Sequence, residues 1–204
     1  MSTLTIGINA MLVIVATTDA VACYTAGMRI VQLCMIPLIG LGTALLTVAG
    51  AAYGARDGEK LGLSFNYCVK IGLIMSVIMG ACMFIFAPQI AVIFSYSSST
   101  AYLTPQIAQV LKIFCIFTLF VPFGLMAAMV FQGVGKGTTS LIITLCRSLL
   151  CELIFSYILG ILFGFGLMGV YAGVVIGSLV GTILGYSWGR LFVSKTKKRF
   201  ARKA

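Results

Sequence analysis

The chain has 204 residues, of which 61% are hydrophobic and 9% are charged, and its mean hydropathy is +1.14. Soluble domains carry about 25% charged residues, so this composition predicts an integral membrane protein. The chain contains no histidine and four acidic residues, which argues against histidine-based catalytic triads, histidine-ligated metals and most paired-carboxylate hydrolases. An enzyme, a bound metal and a cofactor are therefore not expected.

The net charge of +10 does not indicate a nucleic-acid-binding protein, because half of the basic residues are concentrated at one end. Seven of the fourteen lie at position 190 or beyond. Residues 194–204 are predicted to form a basic tail that contacts anionic lipid headgroups.

Six stretches are long and apolar enough to be membrane-spanning helices, which need about 20 residues each. Segments rich in glycine, proline and polar residues separate them. The fold class predicted is an all-α membrane protein, with a six-helix transmembrane bundle over residues 1–193. The approximate spans are 2–17, 23–49, 63–87, 107–131, 140–163 and 168–192.

The first two spans offer one polar side chain and one proline as functional candidates. Asn9 is the strong polar group of the first span, and residues 17–19 are expected to form the turn that follows. Pro37 lies near the middle of the second span, where proline removes a backbone hydrogen bond and favours a kink. This kink is either a fixed feature of packing or a hinge that moves during transport.

The third and fourth spans carry lysines near their ends and a second proline. The long side chains of Lys70 and Lys112 are expected to reach the membrane interface. Pro122 lies near the middle of the fourth span and has the same two interpretations as Pro37. The fourth span contains no acidic residue.

The fifth span contains Glu152 close to its middle. A carboxylate at this depth is costly and usually faces the bundle interior or a wet cavity. Glu152 is therefore a candidate proton or cation site, and a protonated side chain bonded to a neighbouring helix is the alternative. Arg147 lies five residues earlier, about 140° away around an α-helix, so a direct pair of the two is not expected.

Pairs of glycines occur in the second and sixth helical segments. Gly50 and Gly54, like Gly173 and Gly177, have the small-xxx-small spacing that lets membrane helices pack closely. This spacing supports a helical bundle and indicates nothing about a substrate.

The distribution of basic residues predicts the orientation of the bundle. The second loop contains Arg56 and Lys60, the fourth contains Lys136, and the seven-residue basic cluster lies at the end of the chain. The first, third and fifth loops contain no Lys or Arg. Because short basic loops stay in the cytoplasm, both termini are predicted to be cytoplasmic.

Three stretches resemble the C-terminal half of the multidrug and toxic compound extrusion (MATE) family. The first, residues 19–56, is similar to a run from an outer loop to a Gly-Ala-Arg cytoplasmic loop. The second, residues 131–137, has the sequence FQGVGKG and precedes Arg147. The third, residues 166–173, has the sequence GLMGVYAG, with Tyr171 where the family often has tryptophan.

The resemblance implies one lobe of a twelve-helix transporter, in which two six-helix lobes surround a central cleft. Family members export organic cations or amphipathic compounds in exchange for Na⁺ or H⁺, by rocking between inward-open and outward-open states. The expected partners are an N-terminal six-helix lobe, on the same or a separate chain, or a second copy. The expected location is the cell membrane. The short first span, which begins at the initiator Met1, is interpreted as a truncation or a gene split between the lobes.

The chain departs from the family pattern at the coupling positions. Some branches carry acids in the first and fourth helices of this lobe, where this chain has Asn9 and no acid. Another branch couples through an aspartate of the N-terminal lobe. The candidate transport or coupling residues are therefore Glu152, Asn9 and Arg147, and the candidate hinges are Pro37 and Pro122.

Two other interpretations stay open at the level of sequence. The first is a lobe of a lipid-linked saccharide flippase of the same superfamily, which would need several cations in its cavity. Arg29, Lys112 and Arg147 are available, at different depths. The second is a truncated membrane fragment that does not transport.

Overall fold

The computed structural model describes residues 7–8, 13, 18–94, 103–163 and 166–201. These residues are almost entirely helical, and no strand occurs among them. Most of the first predicted span, 2–17, and with it Asn9, lies outside the described residues. The all-α prediction is confirmed for the part of the chain that is described.

The helices occur in the order that the apolar stretches predict. Between α5 and α6, and again after α6, the chain winds as a π-helix, over Cys146–Glu152 and Ile158–Leu162. The α-helices are α1 Thr18–Gly54, α2 Gly58–Ile85, α3 Ala87–Phe94, α4 Thr104–Gly133, α5 Gly137–Leu145, α6 Leu153–Tyr157 and α7 Gly166–Ala201.

Five helical stretches of the described residues are long and apolar enough to cross a membrane. Their outer surfaces are apolar as well: Leu63, Ile74 and Leu184 are 60–73% exposed. A water-facing surface of this kind would be an aggregation hazard, whereas it matches a bilayer. The five stretches are Val21–Gly54, Gly58–Ile85, Thr104–Gly133, Gly137–Leu162 and Gly166–Ala201.

Two helices extend beyond their predicted spans. Helix α1 begins at Thr18 instead of residue 23, so the turn predicted to include Thr18 and Asp19 is wrong there. Polar residues of this kind favour both turns and helix starts, which makes the boundary ambiguous from sequence. Helix α7 continues through the basic residues to Ala201, since Lys and Arg are good helix formers and complement the negative end of the helix dipole.

Two tight corners set the relation of neighbouring helices. In the α1–α2 corner Arg56 has a positive φ of 57°, and the Asp57 carboxylate accepts a hydrogen bond from the Lys60 N–H at 2.9 Å. This bond caps the start of α2. In the α4–α5 corner Gly135 has a φ of +76°, a conformation that favours glycine.

Helix α4 lies at the centre of the bundle and packs against α1, α2 and α7. Its end crosses α1 so closely that a methyl group on Gly50 would lie 2.9 Å from the Gly133 carbonyl oxygen. Gly54, the other glycine of that predicted pair, has no such neighbour within 4 Å. The close approach therefore uses one glycine of the motif.

The basic residues of the loops and of α7 meet at one end of the bundle. The Lys197 ammonium lies 2.9 Å from the Glu59 carboxylate, next to the α1–α2 corner. The Lys136 ammonium lies 4.5 Å from the centre of the Phe192 ring. The basic residues from which the orientation was predicted thus lie close together in the structure. The side of the membrane that they face stays a prediction.

Candidate functional site

The fifth span, which contains Arg147 and Glu152, differs from the regular helix that its apolar pattern predicts. The π-helical segment Cys146–Glu152 includes both residues. In a π-helix the backbone hydrogen bonds join residues five apart, so the two positions are separated by one turn. The 140° separation expected for an α-helix is therefore wrong, and both residues face α7.

Glycines on α7 allow the backbone of the fifth span to approach α7 closely. A methyl group on Gly177 would lie 2.7 Å from the Cα atom of Glu152, and one on Gly181 would lie 2.8 Å from the Cα atom of Arg147. One turn earlier, Gly173 lies directly against Ser156. Real Cβ atoms do not approach other atoms so closely, so the backbones can pack in this way only where a side chain is missing.

Glu152 is buried, with 4% of its surface exposed. Its negative charge acts on Tyr24 of α1, but the Tyr24 hydroxyl has no hydrogen-bond partner among the described residues. Tyr24 in turn stacks on Tyr171 of α7, with ring centroids 6.3 Å apart, and meets Phe114 of α4 edge-on at 5.9 Å. Aromatic side chains of three helices thus pack together around the Tyr24 ring.

Buried hydroxyl groups without partners occur on α1 and α7. Among the described residues, Tyr24 Oη, Ser178 Oγ and Thr182 Oγ1 have no hydrogen-bond partner. Most buried polar groups in proteins are paired, with protein groups, water or ions. Ser178 and Thr182 follow Gly177 and Gly181, the glycines that contact Glu152 and Arg147. The interior of the lobe therefore offers oxygen atoms as well as a carboxylate.

Arg147 is half-buried and its side chain lies between α4 and α7. Its Cδ atom would lie 3.5 Å from a methyl group on Gly124, and Thr182 Oγ1 would lie 3.4 Å from the same group. Within the described residues no salt bridge joins Arg147 to Glu152, although both face α7. That the two side chains form no direct pair stays a prediction.

Asn9 lies outside the described residues, so its relation to Glu152 stays a prediction. Nearby, Gly7 is described, and a methyl group on it would lie 2.9 Å from Cδ2 of Leu153. Gly7 therefore lies against the fifth span, next to the residue that follows Glu152.

The two candidate hinges lie inside continuous helices. Pro122 is buried in α4, and its Cβ atom would lie 3.1 Å from a methyl group on Gly72 of α2. Pro37 is half-buried within α1. The contact with Gly72 favours a packing role for Pro122, and movement at either proline stays a hypothesis.

The donor set suits a proton or a hard monovalent cation better than a transition metal. In the described part of the chain, no three Cys, Asp or Glu side chains converge on one point. One carboxylate with hydroxyl oxygens matches the preference of hard cations for oxygen ligands. The sequence made Glu152 a candidate by its depth, but nothing in it indicated the buried, unpaired hydroxyl of Tyr24, which depends on how α1 packs.

Comparison with known proteins assigns the fold to a transporter family. The MatE family model matches residues 1–158. Comparison with curated protein sequences gives no match. A solved MATE in complex with MaL6 is 36% identical, with a TM-score of 0.94 over 97% of this chain and 44% of that chain.

Two further structures show a multidrug resistance MATE family transporter of the MOP superfamily in different conformations. The inward-facing one is 36% identical with a TM-score of 0.93, over 97% of this chain and 45% of that chain. The outward-facing one is 36% identical with a TM-score of 0.92, over 97% of this chain and 44% of that chain. The chain thus spans less than half the length of these transporters.

The family match and the apolar helices agree in making this a multi-pass membrane protein, for which the cell membrane is the usual location. Members of the family are transporters and not enzymes. The chain belongs to the MatE family and corresponds to one lobe of a MATE transporter.

Proposed function

We propose that the chain is the second lobe of an antiporter that exports organic cations or amphipathic compounds in exchange for Na⁺ or H⁺. The observation that carries this proposal is the TM-score of 0.94 over 97% of the chain, at 36% identity, against less than half of a MATE structure. Secondary transporters built from repeats bind substrate between the repeats. One lobe supplies one wall of such a site.

The partner in this proposal is a first six-helix lobe, on the same chain or a separate one. A second copy of this chain is the alternative partner. Support comes from the relatives, in which the rest of a longer chain accompanies the matched lobe.

The lobe is proposed to move as one body during transport. The chain resembles an inward-facing transporter and an outward-facing one almost equally, with TM-scores of 0.93 and 0.92. The shape of the matched lobe therefore differs little between those two conformations. Tight glycine contacts along α7, such as those of Gly173 and Gly177, supply the stiffness that such a movement needs.

The proposed coupling site is Glu152 with the hydroxyl group of Tyr24. The carboxylate is buried, its charge acts on Tyr24, and a cation or proton would relieve that charge. Arg147 and Asn9 are proposed to contribute through their charge and polarity. Na⁺ and H⁺ are both compatible with these oxygen groups.

A chimaera tests whether the chain acts as a lobe. The first half of the 36%-identical multidrug resistance transporter, joined to this chain, is reconstituted in liposomes with an imposed Na⁺ or H⁺ gradient. We expect export of a lipophilic cation such as tetraphenylphosphonium by the chimaera and none by either half alone. The positive control is the relative divided at the same point, with its two halves co-expressed.

Export by this chain alone as a monomer would contradict the need for a partner. An inactive chimaera that is folded, beside an active control, would contradict the antiporter proposal.

The coupling role of Glu152 is tested in the same chimaera with Glu152→Gln. This change keeps the shape of the side chain and removes its charge, so the dependence of export on the ion gradient should weaken at least tenfold. Glu59→Gln is the matched control, because Glu59 is an exposed acid at the basic end. Unchanged Na⁺ and pH dependence of the Glu152→Gln chimaera would remove Glu152 from the mechanism.

A further inference from the structure

A polar groove lies between α2 and α7 at the basic end of the lobe, away from Glu152. Its volume is about 460 Å³. The two helices approach closely beside it: a methyl group on Gly58 would lie 2.7 Å from the Cα atom of Lys197, and one on Gly62 would lie 3.7 Å from Val193. The two packed helix backbones therefore form the bottom of the groove, and side chains of both helices line it.

The groove is lined by three basic residues and one acid. Lys70 lies on α2, Arg190 and Lys197 lie on α7, and Glu59 lies at the start of α2. Lys197 pairs with Glu59 at 2.9 Å. Among the described residues, Lys70 and Arg190 form no salt bridge, so the groove keeps a formal charge of +2. Such a pair of unpaired cations attracts an anion.

Neutral side chains also line the groove, and those beside it indicate that it lies at a membrane interface. Asn66 and Ser194 line it and can donate hydrogen bonds. Tyr67 and Leu63, on the same face of α2, are 63% and 73% exposed. Tyrosine next to exposed apolar side chains is typical of a membrane interface. The polar groove therefore opens onto a surface that suits lipid chains.

We propose that this groove binds the phosphate group of an anionic phospholipid. Lys70 and Arg190 would hold the phosphate, Asn66 and Ser194 would donate to its oxygens, and the acyl chains would lie along Leu63. Basic pockets between transmembrane helices bind lipid headgroups by this chemistry. A soluble phosphate shares the charged contacts, but it would gain nothing from the apolar surface beside the groove.

The experiment measures lipid binding by the full chain in a neutral detergent, using native mass spectrometry. Phosphatidylglycerol should bind at least tenfold more tightly than phosphatidylcholine. In the double variant Lys70→Gln/Arg190→Gln, phosphatidylglycerol binding should weaken roughly 25-fold, at about fivefold for each cation. The matched control is Lys60→Gln/Lys195→Gln, which removes two exposed charges from the same helices outside the groove, and it should weaken binding less than about threefold.

A third variant gives an effect of opposite sign. Glu59→Gln frees Lys197 from its salt bridge and removes a negative charge, so phosphatidylglycerol should bind several-fold more tightly. Since all substituted side chains are exposed, unfolding temperatures in the same detergent should stay within about 2 °C of the parent chain. This measurement separates loss of binding from loss of fold.

Three results would overturn the proposal. Equal binding of the two lipids would exclude recognition of the anionic headgroup. Equal losses in the two double variants would exclude the groove as the location. Displacement of phosphatidylglycerol by millimolar inorganic phosphate or glycerol 3-phosphate would assign the groove to a soluble phosphate.

Discussion

Glu152 has a buried carboxylate, and Tyr24 on the neighbouring helix α1 has an unpaired hydroxyl group. Glu152 is 4% exposed, its charge acts on Tyr24, and the buried Tyr24 hydroxyl has no hydrogen-bond partner among the described residues. An unsatisfied buried polar group costs about 1–3 kcal/mol. The protein is therefore expected to be less stable with Tyr24 than it would be with phenylalanine at this position. A residue that lowers stability in this way is expected at a functional site.

The Tyr24 hydroxyl provides a residue-scale prediction about stability. Tyr24→Phe removes the unpaired oxygen and keeps the ring contacts with Phe114 and Tyr171, so the free energy of unfolding should stay equal or rise by about 1 kcal/mol. Ser156→Ala is the contrasting change, because the Ser156 hydroxyl donates to the Val170 carbonyl at 3.2 Å, and it should lose about 1 kcal/mol. Thermal unfolding of the full chain in detergent measures both.

The same substitution separates structure from function. In the two-lobe chimaera, Tyr24→Phe should weaken the dependence of export on the ion gradient while the protein stays folded. A large fall in unfolding temperature would show instead that the hydroxyl is a structural group.

At the scale of the helix, the contacts of α7 depend on the absence of side chains. Its glycines recur at every fourth residue from Gly169 to Gly189, and those at 173, 177 and 181 lie against the fifth span. Because residues four apart in an α-helix are neighbours on its surface, these three glycines form a strip without side chains. The backbone of the π-helical segment packs on this strip.

A pair of glycine substitutions tests this arrangement. Gly177→Ala places a methyl group 2.7 Å from the Cα atom of Glu152, so the chain should lose about 1–3 kcal/mol of stability. Gly40→Ala, in the middle of α1, meets nothing within 4 Å and should be neutral or stabilising by about 0.5 kcal/mol. The readout is the unfolding temperature, and similar values for the two variants would contradict the packing described.

The α4–α5 corner provides a second test at the element scale. Gly135 has a φ of +76°, so Gly135→Ala should cost about 1–2 kcal/mol. Gly137→Ala is the control, because Gly137 has open space around it and begins a helix. The unfolding temperature should fall only in Gly135→Ala. An equal fall in both variants would show that the backbone conformation at Gly135 is not the cause of the loss of stability.

The fifth span illustrates why element geometry was harder to predict than element position. Its apolar composition placed a helix at 140–163, and the structure has a helical stretch over Gly137–Leu162. Hydrophobicity reports which residues avoid water, but it does not report the winding of the backbone. The π-helical segment Cys146–Glu152 packs against α7, and no local sequence pattern contains this long-range contact.

At the scale of the whole molecule, charge distribution sets the predicted orientation. The structure brings Arg56, Lys136 and the end of α7 to one end of the lobe. Positively charged segments are retained in the cytoplasm. The third predicted loop contains no Lys or Arg and is therefore predicted to lie on the other side of the membrane.

Cysteine labelling tests this orientation in intact cells. In a chain whose seven cysteines have been replaced, Ser98→Cys should react with a membrane-impermeant maleimide added outside. Lys136→Cys is the matched position at the basic end and should react only after the membrane is permeabilised. The reverse pattern would place both termini outside.

The sequence by itself determined the membrane class, the all-helical fold and the family. These properties depend on hydrophobicity and short motifs, which are local and therefore readable along the chain. The tertiary structure decided that Arg147 and Glu152 share one side of a π-helical turn, that the Tyr24 hydroxyl is buried without a hydrogen-bond partner, and that Lys70 and Arg190 line one groove. Each depends on how distant helices pack, and the backbone approach that permits it is set by glycines whose neighbours lie far away in the chain.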